Sequence, residues 1–382
     1  MKKGKLFATG FLGLALMMAG CGNQSAGSAS SGGAGDTIKI GWYGPLTGYA
    51  ATDGTNSLNG AQLAIDKFNA AGGLDGKKLK LVAEDDQGKP EEAMKAVQKL
   101  INKDQVTAII DGAYSGSSKT VAAKVQEAKV PMVVSIATHP DVTKGGKYIN
   151  RVIYTGPVQG EAMADYVVND LKLKNIAVLY VEADYGTSIF GAFKSKLEEL
   201  QGKVVYESAF KFGDKDYSSL LTSVKMSKPD ALYIVGYYNE AAAIANQVKE
   251  VGLSIPLIGV DGLDTPKYPE LAARNAEGTI LTTSFYLKDT RQVVKDFVAD
   301  WSASRKDEPG MVASQSYDAA LVIIDALKKA GVDREKLADA ISQTKDLEGT
   351  SGKISFAQDH EVVKPVIFVK VKDGKFDFVT AK

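Results

Sequence analysis

The stretch Ile38-Lys39-Ile40-Gly41-Trp42-Tyr43, then Gly44 to Asn56, then Ser57 to Ala71 closed by Gly72-Gly73, sets the architecture of the chain. Its first six residues are apolar or aromatic enough for a short strand, with Trp42 as the core-facing member of the Trp42-Tyr43 pair because neighbouring strand side chains point to opposite faces. In the third segment Leu58, Ala61, Ile65 and Phe68 recur at steps of three and four, one face of a helix, and the paired glycines stop it. The residues between read as a long loop. A strand followed by a helix with one apolar face is half of a parallel β-α-β unit.

The same grammar recurs. Strands are predicted over 79–84, 106–110 and 132–135, with helices over 90–103 and 118–128. A second series gives helix 158–171, strand 175–181, helix 185–200, strand 231–235, helix 240–251 and strand 257–259. Helical patterns then cover 291–305, 311–330 and 334–344. At the end, 365–372 and 375–380 flank Asp373-Gly374, a turn that suits a β-hairpin. The expected fold class is α/β, two lobes, each a mostly parallel sheet flanked by helices.

The chain has 382 residues, 45% of them hydrophobic, enough for two cores. Forty-six basic residues balance 46 acidic ones, so no net field exists to hold nucleic acid. A single cysteine, Cys21, excludes an internal disulfide or a cysteine-based zinc site. Two histidines in unlike contexts, and no Gly-x-Ser-x-Gly elbow with its acid and histidine, leave no catalytic constellation. No enzyme activity, cofactor or metal is expected.

The cysteine belongs to the N-terminus. Lys2, Lys3 and Lys5 precede the apolar run Leu6–Ala19, which is shorter than a membrane span and ends in small residues, as a secretory leader does. Met18-Ala19-Gly20-Cys21 resembles the lipobox of bacterial lipoproteins, in which the cysteine is lipidated. Residues 22–35, almost all Gly, Ser and Ala, read as a flexible tether.

Candidate binding groups gather just beyond strand ends, where open α/β sheets take ligands. The loop Gly112–Ser118 offers hydroxyls and free N–H groups at a helix start, a setting for a carboxylate; Ser117 serves equally as a plain helix cap. Ser135-Ile136-Ala137-Thr138 offers carbonyls and a hydroxyl. Asp261 adds the carboxylate that a desolvated ammonium requires. Tyr185 and Tyr237 follow two further strands and suit a cleft wall, whereas Tyr238 reads equally as surface. His139 fits either a cleft or a solvated loop.

Gly44-Pro45-Leu46-Thr47-Gly48, residues 70–76, Asp85-Asp86, the 114–118 loop, residues 137–140, Asp184-Tyr185-Gly186, Gly236-Tyr237 and Tyr317–Ala320, in this order, resemble the Leu/Ile/Val-binding proteins. The match spans nearly all of the chain after the tether. The resemblance implies a type I periplasmic-binding fold with three crossovers near Thr155, Ser284 and Thr350. The lobes are then 37–155 with 284–350, and 156–283 with 351–382, after a leader 1–20 and a lipidated tether 21–36. It implies hinge closure on an amino acid, branched-chain or related, in a lipid-anchored, extracytoplasmic monomer that serves the permease subunits of an ABC importer. Ser115 and Thr138 would hold the ligand carboxylate. The Ile136 carbonyl and neighbouring Ala137, the Thr138 hydroxyl and Asp261 would hold the ammonium, with Tyr185 and Tyr237 closing over it. A disulfide of some relatives would join positions 88 and 114, here Gly88 and Tyr114. Asp53 stands where relatives that select aliphatic ligands carry an aromatic residue, which favours a polar or small ligand over leucine. Receptors for amides, urea or aromatic acids, and sensory ligand-binding proteins, are the alternatives.

Overall fold

The computed structural model describes residues 37–382, so the leader, Cys21 and the tether lie outside the described residues. The chain runs β1 (Ile38–Gly44), α1 (Ala51–Ala70), β2 (Leu79–Asp85), α2 (Pro90–Lys99), β3 (Ala108–Asp111), α3 (Ser115–Glu127), β4 (Met132–Val134) and β5 (Ile149–Arg151). These five strands form one parallel sheet in the order β2-β1-β3-β4-β5.

The second series is α4 (Gly156–Asn169), β6 (Asn175–Val181), α5 (Asp184–Glu199), β7 (Lys203–Phe210), α6 (Ser218–Ser227), β8 (Ala231–Val235), α7 (Tyr238–Glu250), β9 (Leu257–Gly259), α8 (Lys267–Ala272) and β10 (Ile280–Thr283). The chain then returns to lay α9 (Gln292–Ser304), α10 (Met311–Ala330) and α11 (Arg334–Ser342) beside the first sheet, with α10 packed along α1. A short hairpin of β11 (Leu347–Gly349) and β12 (Gly352–Ile354) follows. A third pass adds β13 (Ile367–Lys372) and β14 (Lys375–Ala381) antiparallel to the second sheet, β14 at its edge. That sheet has the order β14-β13-β10-β9-β8-β6-β7. Its parallel part, β7-β6-β8-β9-β10, repeats the order of the first sheet.

Helices cover both faces of each parallel region, so consecutive strand residues are buried alike. Trp42 and Tyr43 are both without solvent exposure: Trp42 shares a cluster with Ala61, Ile65 and Phe68, and Tyr43 shares one with Ala93, Val97 and Val121. The choice of Trp42 alone as the core residue is thereby corrected. The final hairpin turns through Asp373 (φ 52°) and Gly374 (φ 70°), the two left-handed residues of a type I′ turn.

Three further readings are corrected. Helix α1 starts at Ala51 rather than Ser57, although Thr52, Asp53, Gly54 and Thr55 are poor helix formers. Tertiary packing overrides propensity there: a Cβ on Gly54 would lie 1.8 Å from the Pro45 carbonyl oxygen, so only glycine admits that close approach. Helix α3 opens at Ser115 rather than Ser118. The unassigned segment after Leu200 contains β7, an edge strand, and α6.

Candidate functional site

In a sheet of order 2-1-3-4-5, the loops after the first and third strands diverge to opposite faces and leave a crevice at their carboxyl ends. The five-stranded sheet supplies Asp53 after β1, and Tyr114 and Ser115 after β3. The seven-stranded sheet supplies Tyr185 after β6 and Tyr237 after β8. The next strand in each contributes Ile136 and Asp261. These seven residues line one cavity between the two sheets, about 420 Å³ of space that is partly open to solvent.

Asp53 sits in the first turn of α1, buried, and its Oδ2 accepts a 2.6 Å hydrogen bond from the Tyr114 hydroxyl. Ser115 opens α3, whose first-turn N–H groups have no intrahelical acceptor; its Oγ accepts from the His139 N–H at 3.3 Å. No serine side chain caps that helix. Across the cavity, the Tyr185 hydroxyl donates to Asp261 Oδ1 and accepts from the Gly262 N–H at 3.1 Å. Tyr237 lies between rings, stacked on Tyr114 at 4.5 Å, on Tyr185 at 4.9 Å and on Phe212 at 5.3 Å.

Ala137 and Thr138 are fully buried but do not line the cavity. The Ala137 and His139 carbonyls accept from Arg151 Nη1 at 2.9 and 2.7 Å, which braces the loop from behind, while the Thr138 hydroxyl has no partner. His139 stays outside the cavity, its Nδ1 accepting from the Asp141 N–H at 3.2 Å. Tyr238 is buried in the first turn of α7. Five lining residues escaped the sequence reading: Gly262, Asp264, Thr265, Met311 and Val312. Asp264 and Thr265 follow Asp261 through a single 3₁₀ turn, Asp261–Leu263, so their nearness in sequence was the available clue. Met311 and Val312 open α10 and arrive only through the return pass of the chain.

The electrostatics are one-sided. Burial pushes the carboxyl pKa values up to about 6 for Asp53 and Asp261, with the Tyr114 and Tyr185 hydroxyls opposing the shift, and up to about 7 for Asp264, opposed by Thr283. Among the described residues, no lysine or arginine lines the cavity. The site is therefore suited to a ligand that brings positive charge and hydrogen-bond donors of its own. Among the described residues there is no cluster of His, Cys, Asp and Glu fit to hold a metal ion, and no helix long and apolar enough to cross a membrane.

The sequence matches the family model described as periplasmic binding protein over residues 37–375. The chain belongs to the periplasmic binding protein family. Members are solute-binding proteins rather than enzymes, and the family works outside the cytoplasm. This periplasmic binding protein is 32% identical to the Leu/Ile/Val-binding protein BraC3 of Rhizobium johnstonii, over 84% of this chain and 88% of that one. Its fold is similar to the solved leucine-binding protein LivK of Thermotoga maritima, with a TM-score of 0.85 and 34% identity over 90% of this chain and 98% of that one. The LivJ substrate-binding protein of Streptococcus pneumoniae, solved with isoleucine, gives a TM-score of 0.86 and 31% identity over 91% and 99%.

Proposed function

We propose that this periplasmic binding protein captures an α-amino acid, branched-chain or related, and delivers it to the permease subunits of an ABC importer. The observation that carries the reading is the opposition of Ser115 and the α3 N-terminus on one wall to Asp261 on the other. A helix start with a hydroxyl suits a carboxylate, and a buried carboxylate without a basic neighbour suits an ammonium. A ligand with an acid group alone would leave Asp261 unpaired, which disfavours simple aromatic acids. The Ile136 carbonyl joins Asp261 at the ammonium. Thr138 and Ala137 lie on the loop that Arg151 braces and support the Ile136 wall from behind. Tyr185 and Tyr237 close over the ligand. In this reading residues 37–155 with 284–350 form one lobe and 156–283 with 351–382 the other, and ligand contacts to both favour the closed state. A leader is removed before Cys21, which is lipidated and holds a monomer at the membrane.

Isothermal titration of the purified chain against the α-amino acids tests the reading. At least one is expected to bind, and Asp261→Asn to weaken it about 30-fold or more, the consequence of losing about 2 kcal/mol or more at a buried charge pair. Absence of binding by every α-amino acid, or undiminished affinity in Asp261→Asn, refutes it. Release of the protein from membranes by Cys21→Ser checks the anchor.

A further inference from the structure

Asp53 and Asp261 are held by different tyrosines of one ring cluster. The Tyr114 hydroxyl holds Asp53, the Tyr114 ring rests on Tyr237, Tyr237 rests on Tyr185, and the Tyr185 hydroxyl holds Asp261. Asp53 enters the cavity from the first turn of α1, beside the five-stranded sheet, and Asp261 from the loop after β9 of the seven-stranded sheet, so the two carboxylates front it from different walls. If Asp261 takes the α-ammonium, Asp53 faces another part of the same ligand. Asp264 lines the cavity on the Asp261 side, one helical turn further along the same loop, with its Oδ2 accepting from the Thr283 hydroxyl.

Asp53 is 5% exposed, and its carboxylate receives its one side-chain hydrogen bond from Tyr114, through Oδ2. The rest of the carboxylate fronts a cavity whose lining contains no basic residue. An aliphatic side chain pressed against it removes water and returns no donor, and a buried polar group left so is costly. A hydroxyl or an ammonium supplies the missing donor.

Resting on the amino-acid reading above, we propose that this cavity selects an α-amino acid whose side chain carries a hydrogen-bond donor, hydroxyl or ammonium. The Asp53–Tyr114 pair is the element that reads it.

The test is titration calorimetry of the purified chain with leucine, isoleucine and alanine against serine, threonine, homoserine, ornithine and lysine. The tightest ligand is expected among the donor-bearing set, about 10- to 100-fold ahead of the apolar side chain nearest it in size. Asp53→Leu is expected to reverse that order, and Tyr114→Phe, which keeps the ring but removes a donor from Asp53, to leave the protein folded while widening the preference. Leucine or isoleucine binding more tightly than every donor-bearing ligand overturns the proposal and leaves the amino-acid reading standing. Failure of all α-amino acids to bind removes both. Should Asp53→Leu not fold, the ranking in the unaltered protein decides alone.

Discussion

Replacing Arg151 with methionine tests whether the loop carrying Ile136 and Thr138 is held by one buried cation. The guanidinium has no solvent exposure, and it donates to the carbonyls of Ala137 and His139 at 2.9 and 2.7 Å. Its Nε donates to Glu361 Oε2 at 2.8 Å, its Nη2 to Glu361 Oε1, and Thr143 Oγ1 lies 3.4 Å from Nη2. Methionine fills much of the volume and supplies no donor. Removing one partner of a buried pair costs about 3–5 kcal/mol. Glu361 keeps the Thr143 hydroxyl and is 16% exposed, so the lower end, about 3 kcal/mol, is expected. The double variant Arg151→Met/Glu361→Gln no longer strands a carboxylate, and it should cost about 1–2 kcal/mol less than the two single changes together. Urea unfolding at unchanged m-value measures all three. Ligand affinity should fall with Arg151→Met, about tenfold for each 1.4 kcal/mol of loop order lost. A single variant within about 0.5 kcal/mol of the unaltered protein, or strict additivity of the pair, refutes the brace.

Lys364 is enclosed, with Nζ donating to Ser351 and 3.8 Å from Asp318, and burial pushes its pKa down to about 8 from 10.5. The unfolded chain therefore holds more protons between pH 8 and 10.5, and stability should rise with pH across that window. Lys364→Met should lack this rise in urea midpoints; parallel profiles for the two proteins contradict the assignment. Asp111 shows the opposite sign, because burial pushes its pKa up to about 7 from 3.8 and its Oδ2 has no partner. The folded state holds the extra proton, so stability falls as pH rises from 4 to 7. Asp111→Asn keeps an acceptor for the Ala113 N–H and should flatten that fall, leaving a protein more stable than the original at alkaline pH; an unchanged thermal profile counts against it.

Much of this fold is written in local pattern. Helix α10 occupies Met311–Ala330 as its apolar periodicity predicts, with Gly331 beyond its end, and β8 occupies Ala231–Val235 as a continuous apolar run. The misses have nonlocal causes. β7 is an edge strand whose apolar run is only three residues, Val204-Val205-Tyr206, half-buried between exposed Lys203 and Glu207, so it lacks the longer apolar run of an inner strand. The first turn of α1 lies against Pro45 at Gly54, a close approach that helix propensity does not register. In the cavity, the rule of looking beyond strand ends reached Ser115, Ile136, Tyr185, Tyr237 and Asp261. It did not reach Met311 and Val312, which begin a helix rather than follow a strand. Thr138 shows the converse: a hydroxyl in the right loop that packs behind the wall instead of forming it.

The two sheets share one strand order, so each opens a crevice at its carboxyl edge, and the crevices face one another. The contacts that bridge them near the cavity are few: the Tyr114–Tyr237 stack, the Tyr49–Phe212 edge contact at 5.1 Å, the 3.1 Å bond from the Tyr49 hydroxyl to Glu240, and the half-exposed Lys119–Asp184 pair at 2.9 Å. A ring pair contributes about 0.5–1.5 kcal/mol, a hydrogen bond to a charged group about 1.5–3, and an exposed ion pair about 0–1. Such terms compete with the hydration of every polar group that closure buries, three carboxylates among them. In the two-lobed reading proposed above, a ligand's differential contacts would then decide between an open and a closed state. Under that proposal, a ligand that pairs both Asp53 and Asp261 would remove much of the penalty of closure, so side-chain selection and domain closure would rest on the same carboxylates.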